Sequence, residues 1–319
     1  MRNAVRLLLW TDNTRPYTDA IKAAGLAGHV VIDTLPRKEK PSPEQLAETE
    51  ALMVPTVPPG LLPSMPKLRW AQAMTAGVEA WMALPDLPEK LLLTCARGTH
   101  RESMPENIIA SMLYVTKPFQ ACVEAQATSQ WKSIIAPPIN GKTLGILGLG
   151  EIGGEVARIA AALNMRVIGT KRRPEATPGV AEILPPEKTD EVLAQSDYVL
   201  LLLPSTPATD NIMDAKRLAK MKPNAWLLNF GRGQLIKDDD LVAAVTQKKI
   251  AGAVLDVFRQ EPLPSDHAFW KTPGIMVLPH IGGPHPDRDS IVARLFVENL
   301  RRYLDGQELK QVVDRTAGY

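Results

Sequence analysis

A glycine-spaced turn between an apolar strand and an amphipathic helix constrains this chain more than any other feature. The strand at residues 144–147 runs into Gly148-x-Gly150-x-x-Gly153, which opens a helix, and a second strand follows at 165–170. Gly148 permits the tight turn, Gly150 lets a pyrophosphate approach the backbone, and Gly153 lets the helix pack closely on the sheet. The helix N-terminus offers N–H groups and a positive dipole end to phosphates. The pattern predicts a dinucleotide-binding βαβ unit, and a glycine-rich packing turn without a ligand is the alternative.

The composition is that of an ordinary globular protein large enough for two domains. The chain has 319 residues, of which 45% are hydrophobic and 23% charged, and its formal net charge is +2. Because a nucleic-acid-binding protein typically carries a strong basic patch, this balance argues against nucleic acid as a partner. The sequence shows no cluster of residues with metal-ligand spacing, so no metal is predicted.

The apolar segments are too short for a membrane protein. The run at residues 198–203 ends at Pro204, far below the roughly 20 residues that cross a bilayer. The apolar run near the N-terminus meets Asp12 after a few residues, which favours a buried first strand over a signal peptide. Cys95 and Cys122 lie in apolar surroundings, which favours reduced thiols. These features predict a cytoplasmic protein that has no membrane partner.

Short strands alternate with helices along the chain, which predicts an α/β fold with parallel sheets. Strands are predicted at Val5–Trp10, Ala51–Val54, 69–73 and 91–94, and, from the glycine motif onward, at 143–147, 165–170, 198–203, 225–229, 252–256 and 275–278. Six strands from the motif onward is the number in a full dinucleotide-binding fold. Helices are predicted near 18–24, from a capping box of Ser103 and Glu106 to about Thr116, and at about 289–304.

Three polar residues follow predicted strands of the second half, at the edge where ligands of open α/β sheets bind. Arg232 stands between Gly231 and Gly233 and offers a planar fork that matches a carboxylate; a surface arginine that caps a turn is the alternative. His280 suits proton transfer because its charge changes near neutral pH, although a single histidine is more often structural. Glu261 near His280 would orient the ring and favour its protonated form. Beside a dinucleotide site, this set suggests hydride transfer to a carbonyl.

The chain resembles the D-isomer-specific 2-hydroxyacid dehydrogenases over nearly its whole length. The motifs that carry the resemblance are, in the family's order, GLGEIG, LLPSTPATDNIM, MKPNAWLLNFGRGQLIKDDDL, GAVLDVFRQEPLP and LPHIGG. Within the family it is most similar to the glyoxylate/hydroxypyruvate reductase-like branch, including the closing VDRTAGY. The resemblance implies a homodimer of chains with two Rossmann-like or flavodoxin-like domains and an active-site cleft between them. Residues 1–105 with 290–319 would form the substrate-binding domain and residues 106–289 the NAD(P)-binding domain.

The resemblance also implies roles for individual residues in the reduction of a 2-keto acid to a D-2-hydroxy acid. Arg232 would bind the substrate, His280 would be the acid/base, and Glu261 would pair with His280. The loop Thr75-Ala76-Gly77 would hold the substrate carboxylate, and Asp256 would bond the nicotinamide carboxamide. From the glycine motif, the basic triplet described next and the resemblance, the predicted cofactor-binding residues are Gly148, Gly150, Glu151, Ile152, Gly153, Lys171, Arg172, Arg173, Leu203, Pro204, Phe230, Gly231, Asp256 and Gly282.

A basic triplet, Lys171-Arg172-Arg173, follows the second strand of the predicted βαβ unit. NAD-specific versions of this fold place an acidic residue there, about 20 residues beyond the glycine motif, to bind the ribose 2′-hydroxyl. An acid would repel a 2′-phosphate, whereas a basic triplet would attract one. The triplet therefore predicts a preference for NADP(H), with NAD(H) as a possible second cofactor; a solvated basic turn is the alternative.

Two departures from the family pattern concern the substrate side. Ile281-Gly282-Gly283-Pro284-His285 replaces the commoner small-residue pattern after the histidine, and residues 53–57 include no aromatic side chain. Formate dehydrogenases of the superfamily carry Gln where Glu261 stands, which disfavours that activity. Two other functions stay open: a nucleotide-sensing co-repressor of the same fold, which a turnover assay with NADPH and 2-keto acids would distinguish, and an NAD-dependent phosphoglycerate or phosphonate dehydrogenase-like enzyme.

Overall fold

The structure, a computed structural model, describes residues 4–318 and contains twelve β-strands and ten α-helices within that range. The strands are β1 (Val5–Trp10), β2 (Val30–Leu35), β3 (Ala51–Val54), β4 (Trp70–Ala73), β5 (Leu92–Thr94), β6 (Thr143–Leu147), β7 (Arg166–Thr170), β8 (Glu182–Leu184), β9 (Tyr198–Leu201), β10 (Trp226–Asn229), β11 (Gly252–Leu255) and β12 (Ile275–Val277). The helices are α1 (Arg15–Ala23), α2 (Pro43–Glu48), α3 (Glu79–Met82), α4 (Ser103–Thr116), α5 (Phe119–Ala127), α6 (Glu151–Ala162), α7 (Thr189–Gln195), α8 (Ala215–Leu218), α9 (Asp238–Thr246) and α10 (Arg288–Asp305).

The chain forms two compact units. Unit 1 takes the chain as far as Thr99 and again from His285 onward, and unit 2 runs from His100 to Pro284. Both boundaries lie a few residues before the positions expected from the sequence, which were 105/106 and 289/290. None of the helices within residues 4–318 is long and apolar enough to cross a membrane.

Unit 1 is built on a five-stranded parallel sheet in the order β2-β1-β3-β4-β5, the order of flavodoxin-like folds. The interior strand β1 is buried on both faces, as the continuous apolar run Leu7-Leu8-Leu9 requires. Helix α10 packs in this unit, where the ring of Phe296 stacks on Trp70 with centroids 5.2 Å apart. Its side chain Asn299 is fully buried and donates to the Gln72 side chain at 3.2 Å, so the core of unit 1 includes satisfied polar groups.

Unit 2 is built on a seven-stranded parallel sheet in the order β8-β7-β6-β9-β10-β11-β12. Its first six strands follow the order of the classic dinucleotide-binding fold, in which β6 lies between β7 and β9. The direction of strand addition reverses at β6, and ligands of such sheets bind outside the carboxyl ends of the strands at this switch point. The α/β class with parallel sheets predicted from the sequence is confirmed.

Three local predictions were wrong. β2 and β8 were not predicted, so each sheet has one strand more than expected; β8 has only three residues, all half-buried, and shows no apolar run. The first helix begins at Arg15 rather than near residue 18. The capping box at Ser103 is absent, since α4 already includes Ser103 and the residue before the helix, Glu102, makes no side-chain cap.

Candidate active site

The glycine motif adopts the geometry that its spacing predicts. Gly148 follows β6 with φ of +107°, a conformation that side-chain-bearing residues rarely adopt. A Cβ on Gly153 would lie 2.7 Å from the carbonyl oxygen of Gly148, so the start of α6 approaches the turn too closely for any other residue. A Cβ on Gly150 would meet nothing within 4 Å. The turn is therefore tight at both ends and open in the middle, at the N-cap of α6.

Glu151 and Ile152 form the first turn of α6. Ile152 is half-buried, and Glu151 carries its carboxylate at the helix N-terminus, where Arg101 pairs with it at 3.2 Å. Arg101 also donates to Glu155 at 3.0 Å. Because a phosphate is attracted to a helix N-terminus and repelled by a carboxylate, the Arg101 ion pair offsets the one unfavourable charge of this turn.

The basic triplet begins beside the glycine turn. The carbonyl oxygen of Thr170, the last residue of β7, accepts hydrogen bonds from the N–H groups of Gly148 at 3.4 Å and Leu149 at 3.1 Å. Lys171 follows directly, is half-buried and pairs with Glu175 at 3.6 Å, while Arg172 and Arg173 are exposed. The end of β7 is thus joined to the glycine motif by hydrogen bonds.

The segment after β9 lies between two glycines. A Cβ on Gly148 would stand 2.9 Å from the carbonyl carbon of Leu202, and a Cβ on Gly231 would stand 2.9 Å from the carbonyl oxygen of Leu203. Leu203 and Pro204 are both half-buried. The strand-end turns of β6, β9 and β10 therefore touch through their backbones, which brings the glycine motif and the Arg232 turn to the same edge of the sheet.

Arg232 is held by its neighbours on the chain. Asn229, the buried last residue of β10, accepts from the N–H of Gly231 at 3.1 Å and donates to the carbonyl of Arg232 at 2.9 Å. The guanidinium of Arg232 donates to the Gly231 carbonyl at 2.7 Å and is half-buried. Asn229 was not among the predicted site residues, although an asparagine before a glycine turn is a residue type known to hydrogen-bond the backbone of its own segment. Phe230, between them, is buried.

Glu261 and His280 are brought together as predicted. Nδ1 of His280 lies 2.7 Å from Oε2 of Glu261, and Oε1 of Glu261 accepts from the backbone N–H of Phe258 at 2.9 Å. The His280 side chain is 52% exposed, so the ring can meet a ligand while its Nδ1 side is engaged. A histidine whose one nitrogen is held by a carboxylate presents the other for proton transfer.

The loop that carries His280 is fixed by Asp256. This carboxylate is fully buried at the end of β11 and accepts from the N–H groups of Ile281 at 2.8 Å and Gly282 at 3.0 Å. Burial raises the pKa of Asp256 above its usual range, against the opposing effect of these N–H groups and of His280. His280 itself has φ of +53°, in the left-handed region. The observed partners of Asp256 are therefore the loop backbone, and its contact with a nicotinamide carboxamide stays a prediction.

Helix α4 holds the same loop from another direction. Asn107 donates to the carbonyl of Gly282 at 3.0 Å, and Ser103 donates to the same carbonyl at 3.4 Å. The Ser103 hydroxyl therefore binds this loop rather than the N-terminus of its own helix. A Cβ on Gly283 would stand 3.2 Å from three ring atoms of His100. Gly283, the unusual second glycine after His280, thus leaves room for the His100 ring to pack against the loop backbone.

The predicted carboxylate loop lies in unit 1, directly after β4 and Met74. Thr75 donates through its hydroxyl to the Gly77 carbonyl at 2.7 Å, and its own carbonyl accepts from the N–H of Ala96 at 2.9 Å. None of the hydrogen bonds found within residues 4–318 is donated by the backbone N–H of Ala76 or Gly77. The loop is thus braced through its oxygens, and its role in substrate binding stays a prediction.

Comparison with known proteins identifies what this arrangement belongs to. Residues 109–282 match the family model described as D-isomer specific 2-hydroxyacid dehydrogenase, NAD binding domain. Glyoxylate/hydroxypyruvate reductase B of Citrobacter koseri is 31% identical over 303 residues, which cover 91% of this chain and 93% of that protein.

Solved structures of this family are similar to the chain over nearly its whole length. A D-isomer specific 2-hydroxyacid dehydrogenase family protein from Aeromonas salmonicida has a TM-score of 0.87 at 32% identity, over 98% of this chain and 100% of that one. An NADPH-dependent glyoxylate/hydroxypyruvate reductase from Sinorhizobium meliloti, in complex with NADP and sulfate, has a TM-score of 0.86 at 26% identity, over 99% and 100%. The chain belongs to the D-isomer-specific 2-hydroxyacid dehydrogenases, a family of NAD(P)-dependent oxidoreductases.

Proposed function

We propose that this protein is an NADP-preferring reductase that converts a 2-keto acid, such as glyoxylate, hydroxypyruvate or a larger one, into the D-2-hydroxy acid. The observation that carries the proposal is the 2.7 Å contact of His280 with Glu261 at the sheet edge that also carries Arg232 and the glycine motif. The names of the relatives support the substrate class, and the NADP complex of the Sinorhizobium meliloti enzyme supports the cofactor.

The chain's own residues account for binding and proton transfer. Arg232 presents a planar fork that binds a carboxylate and polarises the adjacent carbonyl. His280 gives a proton to the carbonyl oxygen during reduction and removes it in the reverse direction. Glu261 holds Nδ1 of His280, so that the opposite nitrogen, Nε2, faces the reacting oxygen. A bound nicotinamide supplies the hydride. Thr75, Ala76 and Gly77 are proposed to hold the substrate carboxylate through their backbone.

The residues of the glycine motif fit a dinucleotide. The open space beside Gly150 and the N-terminus of α6 are suited to a pyrophosphate, and Lys171, Arg172 and Arg173 are suited to a 2′-phosphate. The remaining cofactor contacts proposed are those of the residues predicted from the sequence, with Leu203, Pro204, Phe230 and Gly231 at the ends of β9 and β10.

A homodimer is also proposed, supported by apolar side chains that one chain leaves uncovered. Trp131 is 100% and Ile135 99% exposed, and Phe119 and Val123 on the neighbouring α5 are more than half exposed. Large apolar side chains left this exposed are typical of interaction sites. Light scattering that returned the mass of a single 34.9 kDa chain would contradict the dimer. The cytoplasmic location stays a prediction from the sequence.

A substrate panel tests the proposed activity. With NADPH, the protein is expected to reduce glyoxylate, hydroxypyruvate or a larger 2-keto acid, and chiral chromatography of a product with a stereocentre is expected to show the D isomer. Absence of turnover with every 2-keto acid, or a mainly L product, contradicts the proposal.

Replacement of the proposed acid/base residue tests its role. His280→Ala is expected to lower kcat by about 10²- to 10⁴-fold, the usual cost of losing an acid/base group. Glu261→Gln is expected to lower kcat by a smaller factor, because the amide can still accept a hydrogen bond from Nδ1 of His280 but carries no charge. His29→Ala, at an exposed histidine of unit 1, is the control and is expected to leave kcat unchanged. Wild-type kcat in His280→Ala at saturating substrate rules out the assignment.

Gly150→Ala tests the phosphate site separately from folding. The new methyl group meets no protein atom within 4 Å, so the melting temperature without cofactor is expected to stay unchanged. The same methyl group enters the space proposed for the pyrophosphate, so NADPH affinity is expected to fall at least about ten-fold, or ~1.4 kcal/mol. Gly28→Ala, which also meets open space, is the matched control. Unchanged NADPH affinity, measured by calorimetry, would place the phosphates elsewhere.

The cofactor preference depends on the basic triplet. A charged hydrogen bond contributes roughly 1.5–3 kcal/mol, so the double variant Arg172→Ala/Arg173→Ala is expected to lower kcat/KM for NADPH by about ten- to a hundred-fold with little change for NADH. Arg15→Ala, at a side chain 90% exposed, controls for the loss of surface charge. A wild-type preference for NADH, or an unchanged cofactor ratio in the double variant, refutes the preference.

A further inference from the structure

Arg259 was not among the predicted site residues, and it lies between the Arg232 turn and the Glu261–His280 pair. It follows β11 in the short segment that runs from Phe258 to Glu261. Within this segment, the backbone N–H of Phe258 donates to the Glu261 carboxylate. Any side chain that fixes the segment therefore fixes Glu261, and through it the orientation of His280.

The guanidinium of Arg259 binds two other strand-end segments. Its Nε and Nη2 donate to the carbonyl of Ile236 at 3.0 and 2.5 Å, and Nη2 also donates to the carbonyl of Gln234 at 3.1 Å. Nη2 reaches the Asn211 side chain at 2.5 Å as well. Residues 234–236 continue the Arg232 turn after β10, and Asn211 lies in the segment after β9. One side chain thus ties together the segments that follow three neighbouring strands.

Acidic groups surround this guanidinium. Asp210 lies 3.6 Å from Nη1 and Asp238 lies 3.5 Å from Nε, and His267 approaches the second oxygen of Asp238 at 3.4 Å. Burial raises the pKa of Asp238, and the charges of Arg259 and His267 act in the opposite direction. The Arg259 side chain is only 34% exposed. The fork is therefore held by charges as well as by carbonyl groups, in one orientation.

The two segments that Arg259 joins also touch through their backbones. A Cβ on Gly233 would lie 2.0 Å from the carbonyl carbon of Phe258 and 2.3 Å from the backbone nitrogen of Arg259. Because Gly233 follows Arg232 directly, a displacement of the Phe258–Glu261 segment is passed to the Arg232 turn. The relative position of the proposed substrate-binding group and the acid/base pair depends on this contact.

We propose that Arg259 is a positioning residue, which sets the Arg232 turn in register with the Glu261–His280 pair. It acts through its three acceptors and does not touch the substrate. The fork matters because Nε and Nη2 both donate to the Ile236 carbonyl while Nη2 also reaches the Gln234 carbonyl and the Asn211 side chain, and a lysine has no second nitrogen at this spacing. The proposal rests on the proposed function, since it assumes the roles of Arg232 and His280.

Two variants test this role. Arg259→Ala is expected to lower kcat/KM for 2-keto acid reduction by about ten- to a hundred-fold, the effect of a misplacement on the order of 1 Å. The loss is expected to fall on kcat more than on KM, because a displaced Glu261 leaves His280 misoriented toward the bound carbonyl. Arg259→Lys keeps the charge but not the fork, so its loss is expected to approach that of Arg259→Ala. Full activity in Arg259→Lys overturns the proposal.

Arg302→Ala is the matched control. Arg302 lies on α10 in unit 1, is 33% exposed, pairs with Glu298 at 3.6 Å and donates to the Glu308 carbonyl at 3.1 Å, so it loses similar contacts outside the proposed network. Melting temperatures of the variants are compared alongside. If Arg259→Ala matches Arg302→Ala in both kcat and KM, Arg259 is merely structural and the proposal is overturned.

The double variant Arg232→Ala/Arg259→Ala, with the single variants, distinguishes a failure of the role of Arg259 from a failure of the proposed function. If Arg259 acts through Arg232, the combined loss is smaller than the product of the single losses; a full product overturns the proposal. Wild-type turnover in Arg232→Ala and His280→Ala overturns the proposed function itself. Impaired turnover in those two, with Arg259→Ala equal to the control, overturns the role of Arg259 alone.

Discussion

Close backbone contact at the carboxyl edge of the unit 2 sheet is the constraint on which the proposed site depends. The segment after β9 lies against Gly148 on one side and Gly231 on the other, and Gly233 lies against Phe258. At these points a single added carbon would come within 2.0–2.9 Å of a backbone atom. Turns that touch through their main chains cannot shift independently, so the side chains that they carry keep fixed relative positions.

Buried polar side chains also fix these turns, through hydrogen bonds to their backbones. Asn229 spans the Arg232 turn with both ends of its amide, and Asp256 gathers two N–H groups of the His280 loop. Both residues are inaccessible to water, so their hydrogen bonds face no competing solvent and their loss would leave buried groups unpaired. Sites of this kind depend on buried residues that hold the ligand-binding loops in place.

The sequence predicted those parts of the fold that depend on local pattern. The spacing of the glycine motif predicted the tight turn at Gly148 and the close packing at Gly153. The apolar runs predicted the interior strands of both sheets. β2 and β8 were not predicted because both lie at sheet edges, where partly exposed strands do not need a continuous apolar run. Ser103 was misread because its hydrogen-bond partner, Gly282, is remote in the sequence.

The same limit applies within the site. Arg232, Glu261 and His280 were found because each follows a strand in a recognisable motif. Arg259 has its partners in segments centred on Asn211 and Ile236, and no local pattern links these positions. A network that joins three strand ends becomes visible only when the sheet order is known.

The backbone of His280 has one more consequence. Its left-handed conformation, with φ of +53°, costs a residue with a Cβ roughly 1–2 kcal/mol, whereas glycine adopts it freely and asparagine more readily than most. Replacement of His280 by glycine would therefore relieve this backbone cost but would remove the 2.7 Å contact of Nδ1 with Glu261. The contact with Glu261 and the hydrogen bonds of the following N–H groups to Asp256 hold the histidine in place against the preference of its own main chain.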